Sequence, residues 1–405
     1  MAYNKVPFEG YHGEYEKQLE RLQPLSDVLI QQALSPQGGD ARITACMIAA
    51  WQKIQDPEQE TFRAILIDDL MNPKAAGYGE PRHAALKLVR AIQSPLLKKD
   101  NRKLWNYPQD ANHEDFWGRA IDWIIGDDML RNAFSYDLFM RLVSSNKPQR
   151  YVSIPIITGM LRDQQGRPEE PFNVLDLGCS LNMGLGKLAS GSPFSPITVV
   201  KELRKDPEEE ETDEETTELF NRYAREYTLG HGVGVDIALL DRQGKWWAMS
   251  NCGYPSEWLD DKLETEFEYI HEAEDRPNVE RVLGDITNPG SLESQGIEPK
   301  SYDVVSIMTT AYEMSPQDRV RAWRTADYFV KDDGLVISQE FGAVSKSGAF
   351  TPFQNMFDNP GKYRTAIKDH ATQQARKVPN LRWENGRCKK VQLDVGALAM
   401  LGANR

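Results

Sequence analysis

From residue 172 onward the chain is punctuated by short apolar runs that end in glycine or aspartate, with stretches of helical spacing between them. The runs are Phe172–Leu177, Gly232–Ile237, Val279–Leu283, Tyr302–Met308 and Gly334–Gln339. Runs this short and apolar suit strands buried on both faces, and strands that alternate with helices pair in parallel through right-handed crossovers. The pattern therefore predicts an α/β fold, a doubly wound and mostly parallel sheet. Near the end, Leu381-Arg382-Trp383-Glu384-Asn385-Gly386-Arg387-Cys388 sets an Asn-Gly turn between strand-like flanks. A C-terminal antiparallel hairpin on the parallel sheet is expected there.

The first part of the chain has a different texture. From about Tyr15 to Arg162 apolar residues recur at three- and four-residue spacing, as in Ile43, Met47, Ile48, Trp51 and Ile54, which predicts five or six helices. Breaks fall at Ser35-Pro36-Gln37-Gly38-Gly39, at Asn72-Pro73 and over Lys98–Asn112. At 405 residues the chain exceeds what one core usually serves, so two domains are expected: a helical cap or substrate domain over 1–165 and a sheet domain over 166–405. The sheet domain is expected to carry an acidic insertion at about 200–225. The acidic run from Lys205 to Glu215 has no apolar period and reads as a solvated loop or a frayed helix start.

Charge and cysteine usage exclude several classes. A net charge of −13 repels phosphate backbones, which argues against a nucleic-acid partner. Cys46, Cys179, Cys252 and Cys388 stand far apart, so neither a metal site nor a disulfide framework is expected, and reduced thiols fit a cytoplasmic protein. The N-terminus lacks a basic flank with an apolar core, and no apolar run approaches a bilayer span, so neither export nor membrane insertion is expected.

A doubly wound sheet binds ligands outside the carboxyl ends of its strands, so the last residues of each run carry the chemistry. The first run leads into Asp176-Leu177-Gly178-Cys179-Ser180-Leu181-Asn182, a turn of small residues whose free amides would suit a carboxylate or a ribose. Taken alone, an ordinary strand-to-helix turn explains it equally well. The second run ends on Asp236-Ile237, where the acid could accept from the two hydroxyls of an adenosine ribose. The third ends near Asp285-Ile286, where the acid could accept from an adenine amino group with Ile286 beside the ring. The fourth runs into Thr309-Thr310-Ala311-Tyr312-Glu313-Met314, where substrate chemistry would sit.

These five segments together resemble the class I S-adenosylmethionine-dependent methyltransferases. VLDLGCS, GVGVDIA, LGDITNP, YDVVSIM and DDGLVISQEF look like the first to fifth motifs of that superfamily, over about Pro171 to Gly342. The resemblance implies its Rossmann-like sheet and S-adenosylmethionine as cofactor. The implied site is Asp176, Gly178, Ser180, Asp236 and Asp285, with Cys179, Asn182, Ile237, Ile286 and Thr309 completing the surroundings. In resembling enzymes the preceding helix lies over the methionine end of the cofactor, so Arg150 could pair its carboxylate or stand as an ordinary surface arginine. Where the superfamily often has three alternating glycines, this loop has Ser180 and Asn182, and an insertion separates Asp176 from Asp236. The overall layout is similar, more loosely, to an uncharacterised bacterial family of methyltransferase-like proteins with a helical first half.

Methyl transfer from a sulfonium is an in-line displacement that needs positioning and sometimes a base. Tyr312 could donate a hydroxyl or act as base, and Glu313 could be a base or bind a cation. Equally, Tyr312 could pack and Glu313 could cap the next helix. A small-molecule methyltransferase is the leading expectation. An enzyme that consumes S-adenosylmethionine by cyclisation or lysis, giving methylthioadenosine, and a non-catalytic scaffold stand beside it. No GxxxxGK[ST] occurs, and the compact GxGxxG of nicotinamide-binding enzymes is missing.

Overall fold

The computed structural model describes residues 15–34, 41–75, 81–100, 113–141, 148–204, 206–237, 247, 275–311, 314–341, 343–344, 350–351, 363–369, 381–384 and 388–393. It divides into two compact units, one of residues 1–144 with 242–262 and one of residues 145–241 with 263–405. The sequence pattern placed the division after residue 165; the sheet unit begins earlier.

The helical unit contains α1 (Tyr15–Ala33), α2 (Ala41–Gln55), α3 (Glu60–Ile65) running into a π-helical turn at Leu66–Leu70, α4 (Pro81–Asp100), α5 (His113–Gly126) and α6 (Asp128–Met140). Each helix turns an apolar stripe inward, and Leu22, Leu25, Leu29, Phe62, Ile92 and Phe134 form a closed core. The start of α6 is fixed by Asp127, whose side chain accepts from Met129 N and Leu130 N and so satisfies two amides with no helical partner. Trp247, from beyond the second acid-tipped strand, is 1% exposed within this same core. The helical unit is therefore discontinuous in sequence. Among the described residues no helix is long and apolar enough to cross a membrane.

The sheet unit opens with a 3-10 turn at Pro148–Val152 and α7 (Ser153–Gln165), which ends on left-handed Gly166. There follow β1 (Phe172–Leu177), α8 (Met183–Ser190), β2 (Thr198–Val200), α9 (Glu214–Tyr223), β3 (Leu229–Asp236), β4 (Val279–Leu283), α10 (Pro289–Glu293), β5 (Tyr302–Met308), α11 (Pro316–Phe329) and β6 (Val330–Phe341). Last come β7 (Ala343–Val344) and β8 (Phe350–Thr351), paired with each other, then β9 (Tyr363–Asp369), β10 (Leu381–Trp383) and β11 (Lys390–Leu393).

Among the described residues, nine strands form one sheet in the order β2-β11-β10-β9-β6-β5-β1-β3-β4. The pairs β6–β5, β5–β1, β1–β3 and β3–β4 are parallel, so the five apolar runs are the parallel core of a doubly wound, Rossmann-like sheet. Strand alternation sends Val174, Val304 and Ile337 to one face, where α7, α8 and α9 contribute Ile157, Leu185 and Phe220. It sends Leu175, Val305 and Val336 to the other, against Leu292 of α10 and Ala322, Ala326 and Phe329 of α11. The hairpin is present, with Leu381 opposite Leu393 and Trp383 opposite Val391. Its Asn-Gly tip lies outside the described residues.

The segment before β3 holds more structure than an acidic loop would. β2 pairs in parallel with β11 at the sheet's edge. Thr212 bridges back to Val200, and Asp213 caps α9 by accepting from Thr216 N. Within the acidic run Glu210 pairs with Lys390. Three-residue β2 is too short to show alternation, which is why the pattern did not separate it from an insertion.

Candidate functional site

The parallel strands bring Asp176, Asp236, Leu283 and Met308 to one edge, since Asp176 lies opposite Gly234 and Ser306, and Asp236 opposite Leu283. At this edge the turn after β1 takes an unusual backbone path. Gly178 has φ 87°, and two residues with side chains, Ser180 (φ 52°) and Asn182 (φ 60°), also adopt left-handed conformations. Such conformations cost non-glycine residues free energy and persist where the surroundings enforce them. A Cβ on residue 178 would overlap the side chain of Thr310.

Four of the turn's amides are engaged within the protein, where the sequence suggested free ones. Gly178 N and Cys179 N both donate to Val235 O, at 2.8 and 3.1 Å, and Asn182 N donates to Cys179 O. Ser180 N donates to Asp236 Oδ2 at 2.8 Å. What the turn offers instead is side chains. Ser180 Oγ and Asn182 Oδ1 are buried without a hydrogen-bond partner among the described residues. Asn182 Nδ2 is spent on Glu280 O.

Asp176 lies one layer deeper, fully buried. Tyr151 Oη donates to its Oδ2 at 2.5 Å and Ser306 Oγ to its Oδ1 at 2.7 Å. Burial pushes its carboxyl group up to about 6, the two hydrogen bonds oppose the rise, and the charge of Asp236 adds to it. The ring of Tyr151 packs so closely on the first turn of α8 that only glycine fits at Gly184. Cys179 is buried and its thiol is pushed well above its ordinary range, chiefly by burial and then by the charges of Asp176 and Asp236. It is thus an inert wall of the turn rather than a nucleophile.

The remaining expected residues separate into three groups. Arg150 is buried and donates to Thr309 Oγ1 at 3.1 Å, so it stands inside the structure rather than on the surface. Asp285 is exposed and its Oδ1 accepts from Thr287 N at 2.9 Å. Ile286, expected beside a ring, is instead 4% exposed in the core cluster that holds Leu292 and Ile297. The exposed apolar side chains of this corner are Ile237 (64%) just past β3 and Leu283 (49%) at the end of β4. Tyr312 and Glu313 lie outside the described residues.

Sequence reasoning gave no role to Tyr151, Ser306, Arg281 or Glu340. Arg281 Nη1 donates to Ser180 O at 3.5 Å, and Glu340 Oε1 accepts from Thr310 N at 2.9 Å. The only hint available was a polar residue inside or at the end of an apolar run, as in Ser306 and Glu340.

No protein-family model matches the chain, and no curated protein matches it. Among solved structures, it is similar to a putative methyltransferase in complex with the Trm112 methyltransferase activator of Haloferax volcanii. The identity is 12%, with 55% of this chain and 58% of that one covered and a TM-score of 0.25. It is also similar to the plantazolicin methyltransferase BamL in complex with a triazolic desmethylPZN analog and SAH, at 12% identity, 63% and 59% coverage and a TM-score of 0.26. A third is the PH0226 protein from Pyrococcus horikoshii OT3, at 13% identity, 62% and 78% coverage and a TM-score of 0.23. The chain thus spans about three-fifths of the first two structures.

Proposed function

We propose that the sheet unit binds S-adenosylmethionine at the carboxyl ends of β1, β3 and β4 and that the protein transfers its methyl group to a small molecule. The observation that carries this reading is the left-handed turn at Gly178–Asn182 locked to Asp236 through Ser180 N, at the reversal point between β1 and its neighbours. The cofactor fits the groups present. Ser180 Oγ and Asn182 Oδ1 are buried polar atoms without partners among the described residues, Asp236 is a half-buried acceptor at a strand tip suited to vicinal hydroxyls, and exposed Ile237 and Leu283 suit an adenine face. The bound cofactor supplies an electrophilic methyl on a sulfonium.

The chain's own residues position and desolvate. Arg150, held on Thr309, would supply a cation for the cofactor's carboxylate. Asp176, buried beneath the turn with its carboxyl pKa pushed up by burial, is held by the Tyr151 and Ser306 hydroxyls and supports the turn from below. An acidic balance of −13 favours a small-molecule acceptor over nucleic acid.

Titration calorimetry with S-adenosylhomocysteine on the wild type and Asp236→Ala tests the cofactor. Binding to the wild type, with about tenfold or greater loss in the variant, is expected. Equal behaviour of the two would sink the reading. Mass spectrometry after incubation with S-adenosylmethionine then separates the chemistries. Methylthioadenosine formed without an acceptor would replace methyl transfer by cyclisation or lysis.

A further inference from the structure

Glu340 is fully buried near the carboxyl end of β6. Its Oε1 accepts from two successive backbone amides, Thr310 N and Ala311 N, each at 2.9 Å. The register shows how: Met308, the last residue of β5, lies opposite Gln339, so Glu340 stands one step beyond and reaches across the strand end. The two amides have just left the ladder. Without Glu340 they would lose the acceptor that satisfies them in a largely buried setting.

The backbone pays for this geometry. Thr309, a β-branched residue, sits at φ 53°, while its amide donates to Gln339 O at 2.8 Å. From there Thr310 Oγ1 comes within 3.2 Å of the carbonyl oxygen of Gly178. The Thr310 side chain fills the space a Cβ on residue 178 would need. Further along, Arg319 Nε holds Met314 O at 3.0 Å, and Ser315 Oγ caps α11 by accepting from Asp318 N. Arg319 is itself buried and feels the charge of Glu340.

We propose that Glu340 is a positioning residue of the carboxyl-end site: through two amides it sets the turn after β5 so that Thr310 braces the Gly178 turn in its ligand-binding conformation. Charge-assisted hydrogen bonds are about twice as strong as neutral ones, and two on one oxygen fix the orientation of the peptide between them. Glu340 acts on the site through the backbone that carries Thr310.

Because its binding arm rests on the cofactor reading above, the test uses two readouts. Amide hydrogen exchange at Thr310 and Ala311 reports the clamp, and calorimetry with S-adenosylhomocysteine reports the site. In Glu340→Ala both amides should exchange about tenfold faster or more under conditions where the rest of the sheet stays protected, and affinity should fall about tenfold. Glu340→Gln, whose amide oxygen can accept both bonds, should return both readouts to within about threefold of wild type. Thr310→Ala should weaken binding while the Ala311 amide stays protected. Unchanged exchange in Glu340→Ala would overturn the proposal, as would wild-type affinity in Thr310→Ala. If Glu340→Ala unfolds, the Gln and Thr310 variants decide. A wild type that fails to bind the probe removes the cofactor reading instead, and the exchange rates then decide on the clamp.

Discussion

Tyr151 donates its hydroxyl proton to Asp176 across 2.5 Å, in the layer directly beneath the Gly178 turn. This bond ties the segment that leads into α7 to the first strand, and with the Ser306 bond it occupies both oxygens of a carboxyl group that no water reaches. Asp176, which the family resemblance implies as a site residue, also supports the turn through these two bonds.

That environment sets a pH dependence. Asp176 has its pKa raised from 3.8 to about 6, so the folded state favours the protonated form. The associated stabilisation is fully present below about pH 4 and is lost as pH rises through about 6. Two units correspond to roughly 3 kcal/mol, of which about 2 kcal/mol falls between about pH 4.5 and 7.5. Urea unfolding of wild type and Asp176→Asn at those two pH values should show the variant gaining on the wild type by that amount as pH rises. A difference independent of pH would contradict it.

Gly184 gives a second prediction. A Cβ at this position would overlap the Tyr151 ring, so Gly184→Ala must displace the ring and strain its bond to Asp176. The expected cost is about 1–3 kcal/mol, as for overpacking elsewhere. In a Tyr151→Ala background the same substitution should cost far less, because the obstacle is gone. Equal costs in the two backgrounds would place the effect elsewhere.

The antiparallel extension of the sheet carries a buried polar chain. Trp383 Nε1 donates to Thr365 Oγ1 at 2.8 Å, and Thr365 Oγ1 donates to Gln339 Oε1 at 2.7 Å. Trp383→Phe removes the first donor and part of a fully buried ring, so a loss of about 2–4 kcal/mol is expected from cavity formation and the broken bond. Chemical denaturation measures it. A loss below about 1 kcal/mol would mean that the site repacks freely.

The parallel strands were legible because most of their residues are buried in the sheet and apolar; β4 is the exception, with Glu280 and Leu283 exposed. Ile237 and Ile286 both follow an acidic strand end, yet the first is exposed and the second lies in the cluster with Leu292, a difference that spacing does not show. The turn's amides looked free because spacing cannot show that Val235 O accepts two of them. Tyr151 and Glu340 were invisible as partners because each acts on a segment distant in sequence, Tyr151 on Asp176 and Glu340 on Thr310 and Ala311. Trp247 joins the helical core from beyond β3, a long-range contact that a pattern read along the chain does not show.

The parallel pairing of β2 with β11 has a consequence for how the protein is made. Leu203 N, just past β2, donates to Gln392 Oε1 across 189 residues of chain. A ribosome has thus produced β2 long before its partner exists, and the edge of the nascent sheet must wait through the synthesis of nearly half the polypeptide. Chaperone dependence during translation should accordingly be greatest for chains arrested between these two strands.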